Sequence, residues 1–130
     1  MSSDPVKIIL VDSDASTRRA LGRLFSASGF TWEAFASGEE FLAAGEVPET
    51  ACVIADTRLP GVGTIELMRR VRSNQAGVPF ILLTLEEDEE SRRQARAAGA
   101  SAFFRKPVDA GALLDSIRWA VHVPAPTASV

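Results

Sequence analysis

Five short, nearly continuous apolar segments set the strongest constraint on this chain: "VKIILV" (6–11), "TWEAF" (31–35), "ACVIA" (51–55), "VPFILLT" (78–84) and "SAFF" (101–104). A strand with one wet face alternates polar and apolar residues, whereas a strand covered on both faces reads as an apolar run. The pattern predicts a central parallel sheet with helices on both sides.

The stretches between these runs have helical spacing and recognisable ends. Leu21, Leu24 and Phe25 share one face of the first, with Asp14 or Ser16 at its start and Gly29 at its end. In "SGEEFLAAG", Ser37 and Glu40 have the spacing of a capping box, and Gly45 is the stop. Ile65, Met68 and Val71 mark a third helix. A fourth starts in the acidic "EEDEE" (86–90) and runs to Arg92, Arg93 and Arg96, a charge order that complements a helix dipole. Pairs from Asp88 to Arg92 and from Glu89 to Arg93 are expected along it. Asp109 caps the fifth, whose buried stripe is Leu113, Ile117 and Val121. Five alternating β and α units with short connections make a doubly wound α/β domain, because crossovers between parallel strands are almost always right-handed.

Size and charge narrow the function. With 130 residues, 13.9 kDa and 46% hydrophobic residues, the chain holds one core and has no room for a second folded domain. That domain is expected at 1–122, and "VPAPTASV" (123–130) reads as a flexible tail or the start of a linker. A net charge of -3 and a pI of about 5.2 provide no overall positive field for nucleic acid or an anionic membrane. The single cysteine, Cys52, excludes an internal disulfide and a multi-cysteine metal site; within "ACVIA" it reads as a small buried hydrophobe. The polar start "MSSDPVK" has no signal-peptide pattern, and no apolar run approaches the roughly 18 residues of a membrane helix, so a cytoplasmic protein is expected.

Ligands of open parallel sheets bind beyond the carboxyl ends of the strands, so the residues found there matter most. The first strand ends in Asp12, Ser13 and Asp14, the third in Asp56 and the fourth in Thr84, while the fifth leads into Arg105, Lys106 and Pro107. Carboxylates, a hydroxyl and an ammonium thus collect at one edge. Magnesium binds through one or two carboxylates while keeping waters and taking phosphate oxygens. A carboxylate can also attack phosphorus to form an acyl phosphate, with a metal, a hydroxyl and a lysine stabilising the oxygens of the transferred group.

These residues resemble the receiver domains of bacterial two-component response regulators. "VDSDASTRRAL" looks like the acidic end of the family's first strand and "VIADTRLPG" like its phosphorylation loop; "ILLT" and "AGASAFFRKP" resemble the segments with its hydroxyl and lysine. The resemblance covers about residues 6–121. It implies a (βα)5 flavodoxin-like three-layer sandwich with strand order 2-1-3-4-5. By position, Asp56 would be the phosphoacceptor, Asp12 an acidic-pocket residue that helps hold Mg2+, and the Arg58 carbonyl a further metal ligand. Thr84 and Lys106 would bind the phosphoryl group, Phe103 would be the switch aromatic, and Lys106-Pro107 a cis peptide bond. The implied partners are a sensor histidine kinase, a second copy joined through the surface of the fourth helix, fifth strand and fifth helix, and a C-terminal DNA-binding output domain. "SGEEFLA" and "DTRLPG" look most like receivers preceding a helix-turn-helix output domain of the nodulation and nitrogen-fixation regulator type. The implied role is phosphorelay signalling in transcription regulation, by a domain that is not an enzyme beyond its own phosphotransfer and dephosphorylation.

Three positions depart from the family. Ser13 stands where a second acid usually contacts the metal, and either Ser13 or Asp14 is left to complete the site. Leu85 follows the switch threonine where a small residue is usual, and its bulk narrows access to Asp56. Thr64 replaces a usual glycine, with Gly61 and Gly63 leaving the loop flexible. The expectation is an atypical receiver, weak, slow or donor-selective in phosphorylation; the alternative is a phosphorylation-independent interaction module.

Blander readings stand beside these. Asp12 and Asp14 alone would be a helix cap and a solvated acid, and "GVG" (61–63) lacks the third glycine and the lysine of a nucleotide loop. Strand alternation sends Phe103 and Phe104 to opposite faces, so packing alone explains at least one. Trp119 covers either the core or an interface, and His122 reads as an exposed terminal residue.

Overall fold

The apolar runs become strands wherever their backbone can pair. In the computed structural model, which describes residues 6–45, 47–86 and 88–122 with the His122 side chain left aside, β1 (Lys7–Val11), β2 (Thr31–Phe35), β3 (Ala51–Asp56), β4 (Phe80–Thr84) and β5 (Ala102–Arg105) alternate with α1 (Ala15–Ala27), α2 (Gly38–Ala43), α3 (Thr64–Asn74), α4 (Glu89–Ala97) and α5 (Ala110–His122). All neighbouring strands are parallel, in the order β2-β1-β3-β4-β5. β4 starts two residues later than its apolar run, after Pro79, which has no N–H for the ladder. The tail at 123–130, Glu87 and the side chain of His122 lie outside the described residues.

Alternation along the strands builds two cores. Ile9, Val11, Val53, Ala55, Phe80 and Leu82 face Phe41 of α2, Leu67, Met68 and Val71 of α3, and Ala95 of α4. Ile8, Leu10, Cys52, Ile54, Ile81 and Leu83 face Leu21 and Phe25 of α1 and Leu113 and Ile117 of α5. The result is a three-layer sandwich. All residues of β3 and β4 are buried, while the edge strands β2 and β5 are only partly covered. A fully buried side chain of this size contributes about 1.5–3 kcal/mol. Burial also pushes the Cys52 thiol up to about 12, leaving it a packing residue.

The caps follow the sequence closely. Asp14, rather than Ser16, caps α1, accepting the Ser16 amide at 2.9 Å. Ser37 accepts the Glu40 amide at 3.1 Å, and the Glu40 carboxylate reaches back to the amide of Ala36 at 3.3 Å instead of that of Ser37. Asp109 caps α5 through the Ala112 amide at 2.8 Å.

Packing and capping set the faces of two helices. The inner stripe of α3 is Thr64, Leu67, Met68 and Val71, a spacing that turns Ile65 to the rim, where it is 48% exposed. On α4 the carboxylate of Asp88 caps the helix at the Ser91 amide, Arg93 pairs with Glu90, and Arg92 lies over the ring of Phe103 with 5.6 Å to its centroid. Asp88 serves as the cap of the helix, and Glu90 rather than Glu89 pairs with Arg93. Trp119 is exposed on α5.

Two contacts fasten the layers. A Cβ on Gly22 of α1 would lie 2.4 Å from the Trp32 ring of β2, whose indole N–H donates to Ser26 at 2.7 Å. The half-buried guanidinium of Arg72 in α3 donates to the carbonyls of Ala98 at 2.6 Å and Gly99 at 2.9 Å, closing the C-terminal end of α4. No helix among the described residues is long and apolar enough to cross a membrane.

Candidate functional site

Strand register decides which side chains meet. Val11 pairs with Ala55 and Thr84 with Arg105, so the residues just beyond β1, at the end of β3 and just beyond β5 converge. The Asp12 amide donates to Phe35 at 3.0 Å and the Lys106 amide to Thr84 at 2.7 Å, which carries the ladder one residue past the strand ends.

Asp12 and Asp56 are held alike. In each, Oδ1 accepts the amide two residues further on, from Asp14 at 2.9 Å and from Arg58 at 2.8 Å. In each, Oδ2 accepts from the Lys106 ammonium at 2.7 Å. One cation thus bridges two buried carboxylates, and the trio carries one negative charge. Burial pushes the Asp12 carboxyl above its ordinary value, a rise that the charge of Asp56 reinforces and the hydrogen bonds from Lys106 and Asp14 oppose. Burial works against the Lys106 ammonium too, but its hydrogen bonds to Asp12 and Asp56 outweigh that cost and hold its pKa above the usual lysine value.

Among the described residues, the buried polar or charged ones are Asp12, Asp56, Thr64 and Thr84. Thr84 ends β4, and its hydroxyl donates to the Glu86 carbonyl at 2.8 Å and accepts the Glu86 amide at 3.1 Å. The Glu86 carboxylate pairs with Arg58 at 2.5 Å, linking the loops after β3 and β4. Ser13, Arg58, Leu85 and Pro107 border an open recess of about 420 Å³ that reaches Asp56 and Lys106. Leu85 is 62% exposed there, and the Lys106-Pro107 bond is cis. Phe103, paired with Leu82, lies half-buried against the α2–α4 side of the sheet, and Phe104 faces the other side.

Ser13 and Asp14 line the same recess, outside the ion pairs of Asp12, Asp56 and Lys106. Ser13 is exposed at the recess mouth. Asp14 has both carboxylate oxygens engaged by the first turn of α1, Oδ1 with Ser16 and Oδ2 with the Thr17 hydroxyl at 3.2 Å; the Ser16 hydrogen bonds hold its pKa below the usual carboxylate value. Among the described residues no group of three or more His, Cys, Asp or Glu side chains could hold a metal. The pair Asp12 and Asp56, close enough to share one ammonium, still fits magnesium, which takes one or two carboxylates and completes its shell with water.

Sequence reasoning missed two residues that shape the loop after Asp56. Thr64 donates its hydroxyl to the Asp56 carbonyl at 2.5 Å. Glu39 of α2 accepts the Val62 amide at 2.9 Å, and a Cβ on Gly61, whose φ is 72°, would lie 2.0 Å from the Glu39 carboxylate. Thr64 was visible only as a departure from a family glycine. Glu39 had no local signal, since its acceptor role depends on the docking of α2 against a loop 23 residues away.

The chain is similar to known proteins along nearly its whole length. It is 31% identical to the transcriptional regulatory protein FixJ of Bradyrhizobium diazoefficiens, over 93% of this chain and 59% of that protein. It is 35% identical to the C4-dicarboxylate transport transcriptional regulatory protein DctD of Rhizobium meliloti, over 91% of this chain and 25% of that protein. Among solved structures, the response regulator StyR superposes with a TM-score of 0.82 at 31% identity, covering 92% of this chain and 60% of that one. The chain therefore spans less than two thirds of the length of these relatives. The model of the response regulator receiver domain matches residues 8–118, and with the strand order and the Asp12, Asp56 and Lys106 cluster it establishes that the chain belongs to the receiver-domain family of two-component response regulators.

Proposed function

We propose that the chain accepts a phosphoryl group on Asp56 from a sensor histidine kinase and passes the change to the surface of α4, β5 and α5. The observation that carries this reading is the presentation of the Asp56 carboxylate, held by the Arg58 amide and the Lys106 ammonium at the floor of an open recess. A carboxylate oxygen attacks phosphorus, a P–O bond forms, and the P–N bond to the donor imidazole breaks. The nitrogen keeps the electron pair and takes up a proton. Asp12, Asp56 and the Arg58 carbonyl would hold Mg2+, which would neutralise charge on the phosphoryl oxygens. Lys106 stays charged and keeps the two carboxylates together.

The new phosphoryl oxygens compete with Glu86 for the Thr84 hydroxyl. Its withdrawal from the Glu86 backbone frees the loop before α4, and Phe103 repacks beneath it. The partners proposed are a kinase, a second copy through the α4-β5-α5 surface, and a DNA-binding output domain in a cytoplasmic transcription regulator.

A second reading is favoured by one observation: Ser13 is neutral and Asp14 is engaged as a cap, so the pocket is one acid short. On that reading the domain is an interaction module that works without phosphorylation. Incubation with acetyl phosphate and Mg2+ beside an Asp56→Ala control separates the two by intact mass. One added phosphoryl group on the parent alone supports the first reading, and none on either supports the second.

A further inference from the structure

We propose that Thr64 is a positioning residue for the acceptor: its hydroxyl, bound to the Asp56 carbonyl, sets the direction in which the Asp56 carboxylate meets the incoming phosphorus. The inference rests on the reading of Asp56 as phosphoacceptor. Of the four buried polar residues among those described, Asp12, Asp56 and Thr84 belong to the site by their position at the strand ends, and Thr64 is the fourth. It is only 5% exposed, and a hydroxyl buried to that degree needs a partner. The partner is the backbone of the acceptor itself, at 2.5 Å.

The bond closes a ring from Asp56 to Thr64 that contains Arg58. Within the ring the Thr57 amide is fixed to Leu83 at 2.9 Å and the Val62 amide to Glu39 at 2.9 Å, while Gly61 makes the left-handed turn between. Gly63 precedes α3 and offers no side-chain cap, so the Thr64 hydroxyl is turned inward to the acceptor and does not close the helix end. The Arg58 amide that holds Asp56 Oδ1 is carried on this ring. Release of the Asp56 carbonyl moves that amide, and with it one of the two hydrogen bonds that orient the carboxylate. Small misplacement of a reacting group is costly, reaching about 100-fold for 1 Å. Threonine suits the task because its branched Cβ restricts the side-chain torsion.

Two variants test this. Thr64→Val keeps the shape and removes the donor, and Thr64→Ser keeps the donor. With acetyl phosphate and Mg2+, the limiting rate of Asp56 phosphorylation should fall about tenfold or more in Thr64→Val, with the half-saturating donor concentration unchanged, and should stay within about threefold in Thr64→Ser. Equal rates for Thr64→Val and the parent, or an equal fall in both variants, overturn the proposal. The 13Cγ resonance of Asp56 supplies a reading that needs no phosphorylation: it should move in Thr64→Val and stay in Thr64→Ser, and a resonance unmoved in Thr64→Val also overturns the proposal. If the parent takes up no phosphoryl group, the acceptor reading falls and the resonance alone decides the positioning role. Should Thr64→Val fail to fold, Thr64→Ala, which likewise removes the donor, takes its place in both measurements.

Discussion

The ammonium of Lys106 and the carboxylate of Asp12, 94 residues apart in the chain, meet at 2.7 Å where Asp12 has no exposed surface. Two buried carboxylates share this one cation, so the site is built against its own stability. Asp12→Asn keeps an acceptor for Lys106 and removes the excess charge. It is expected to stabilise the protein at neutral pH by about 1 kcal/mol, roughly 4 °C in melting temperature. The sign follows from the raised Asp12 pKa: a folded value above the unfolded 3.8 gives stability that is complete below 3.8 and lost as the pH rises through the folded value. The gap between variant and parent should therefore close as the pH falls toward 3.8 and be gone below it. Thermal melts across that range check it, and a variant less stable than the parent at pH 7 would refute it.

Lys106→Met leaves Asp12 and Asp56 facing each other without their cation. Removing one partner of a buried ion pair costs about 3–5 kcal/mol, and the partial exposure of Lys106 places the expected loss near 3. Millimolar Mg2+ should restore part of it and should stabilise the variant more than the parent. Urea titrations with and without the metal make the comparison, and equal responses would show that the two carboxylates do not hold the ion.

Ser13→Asp adds a third carboxylate at the mouth of the recess. Calorimetry should record Mg2+ affinity about tenfold higher than in the parent, a gain of about 1.4 kcal/mol. Asp14→Ala should leave affinity unchanged while lowering the melting temperature through the lost cap of α1. A fall in affinity in Asp14→Ala would mean that Asp14 leaves its cap to reach the metal.

Gly22→Ala should destabilise the protein by about 1–3 kcal/mol, because its methyl would enter the space of the Trp32 ring. In a Trp32→Leu background the penalty should largely vanish. A double-mutant cycle measures the coupling, and additive effects would exclude the contact as the cause.

Periodicity made a parallel sheet covered on both faces legible, the family resemblance supplied its strand order, and the residues at the strand ends pointed to the cluster of Asp12, Asp56 and Lys106, because strand ends converge in a parallel sheet of this order. Three features escaped for one shared reason. The Thr64 hydroxyl, the Glu39 carboxylate and the Arg72 guanidinium all bind backbone groups of distant segments, and a carbonyl or amide has no residue type to betray it. Ile65 marks α3 but not its core face, because an apolar spacing of three fits two adjacent stripes of a helix and the core selects the stripe that contains Leu67.

Arg72 gives α4 a fulcrum. Ala95 is the buried residue of that helix, and its C-terminal end is pinned at Ala98 and Gly99, while the loop leading to its other end is tied through Glu86 to Arg58 by two exposed side chains, a bond worth about 0–1 kcal/mol. The two ends of α4 are thus fastened unequally, the end beside Arg72 more firmly than the loop that follows Thr84. Amide exchange should accordingly grade along the helix, fastest near Ser91 and slowest near Ala98.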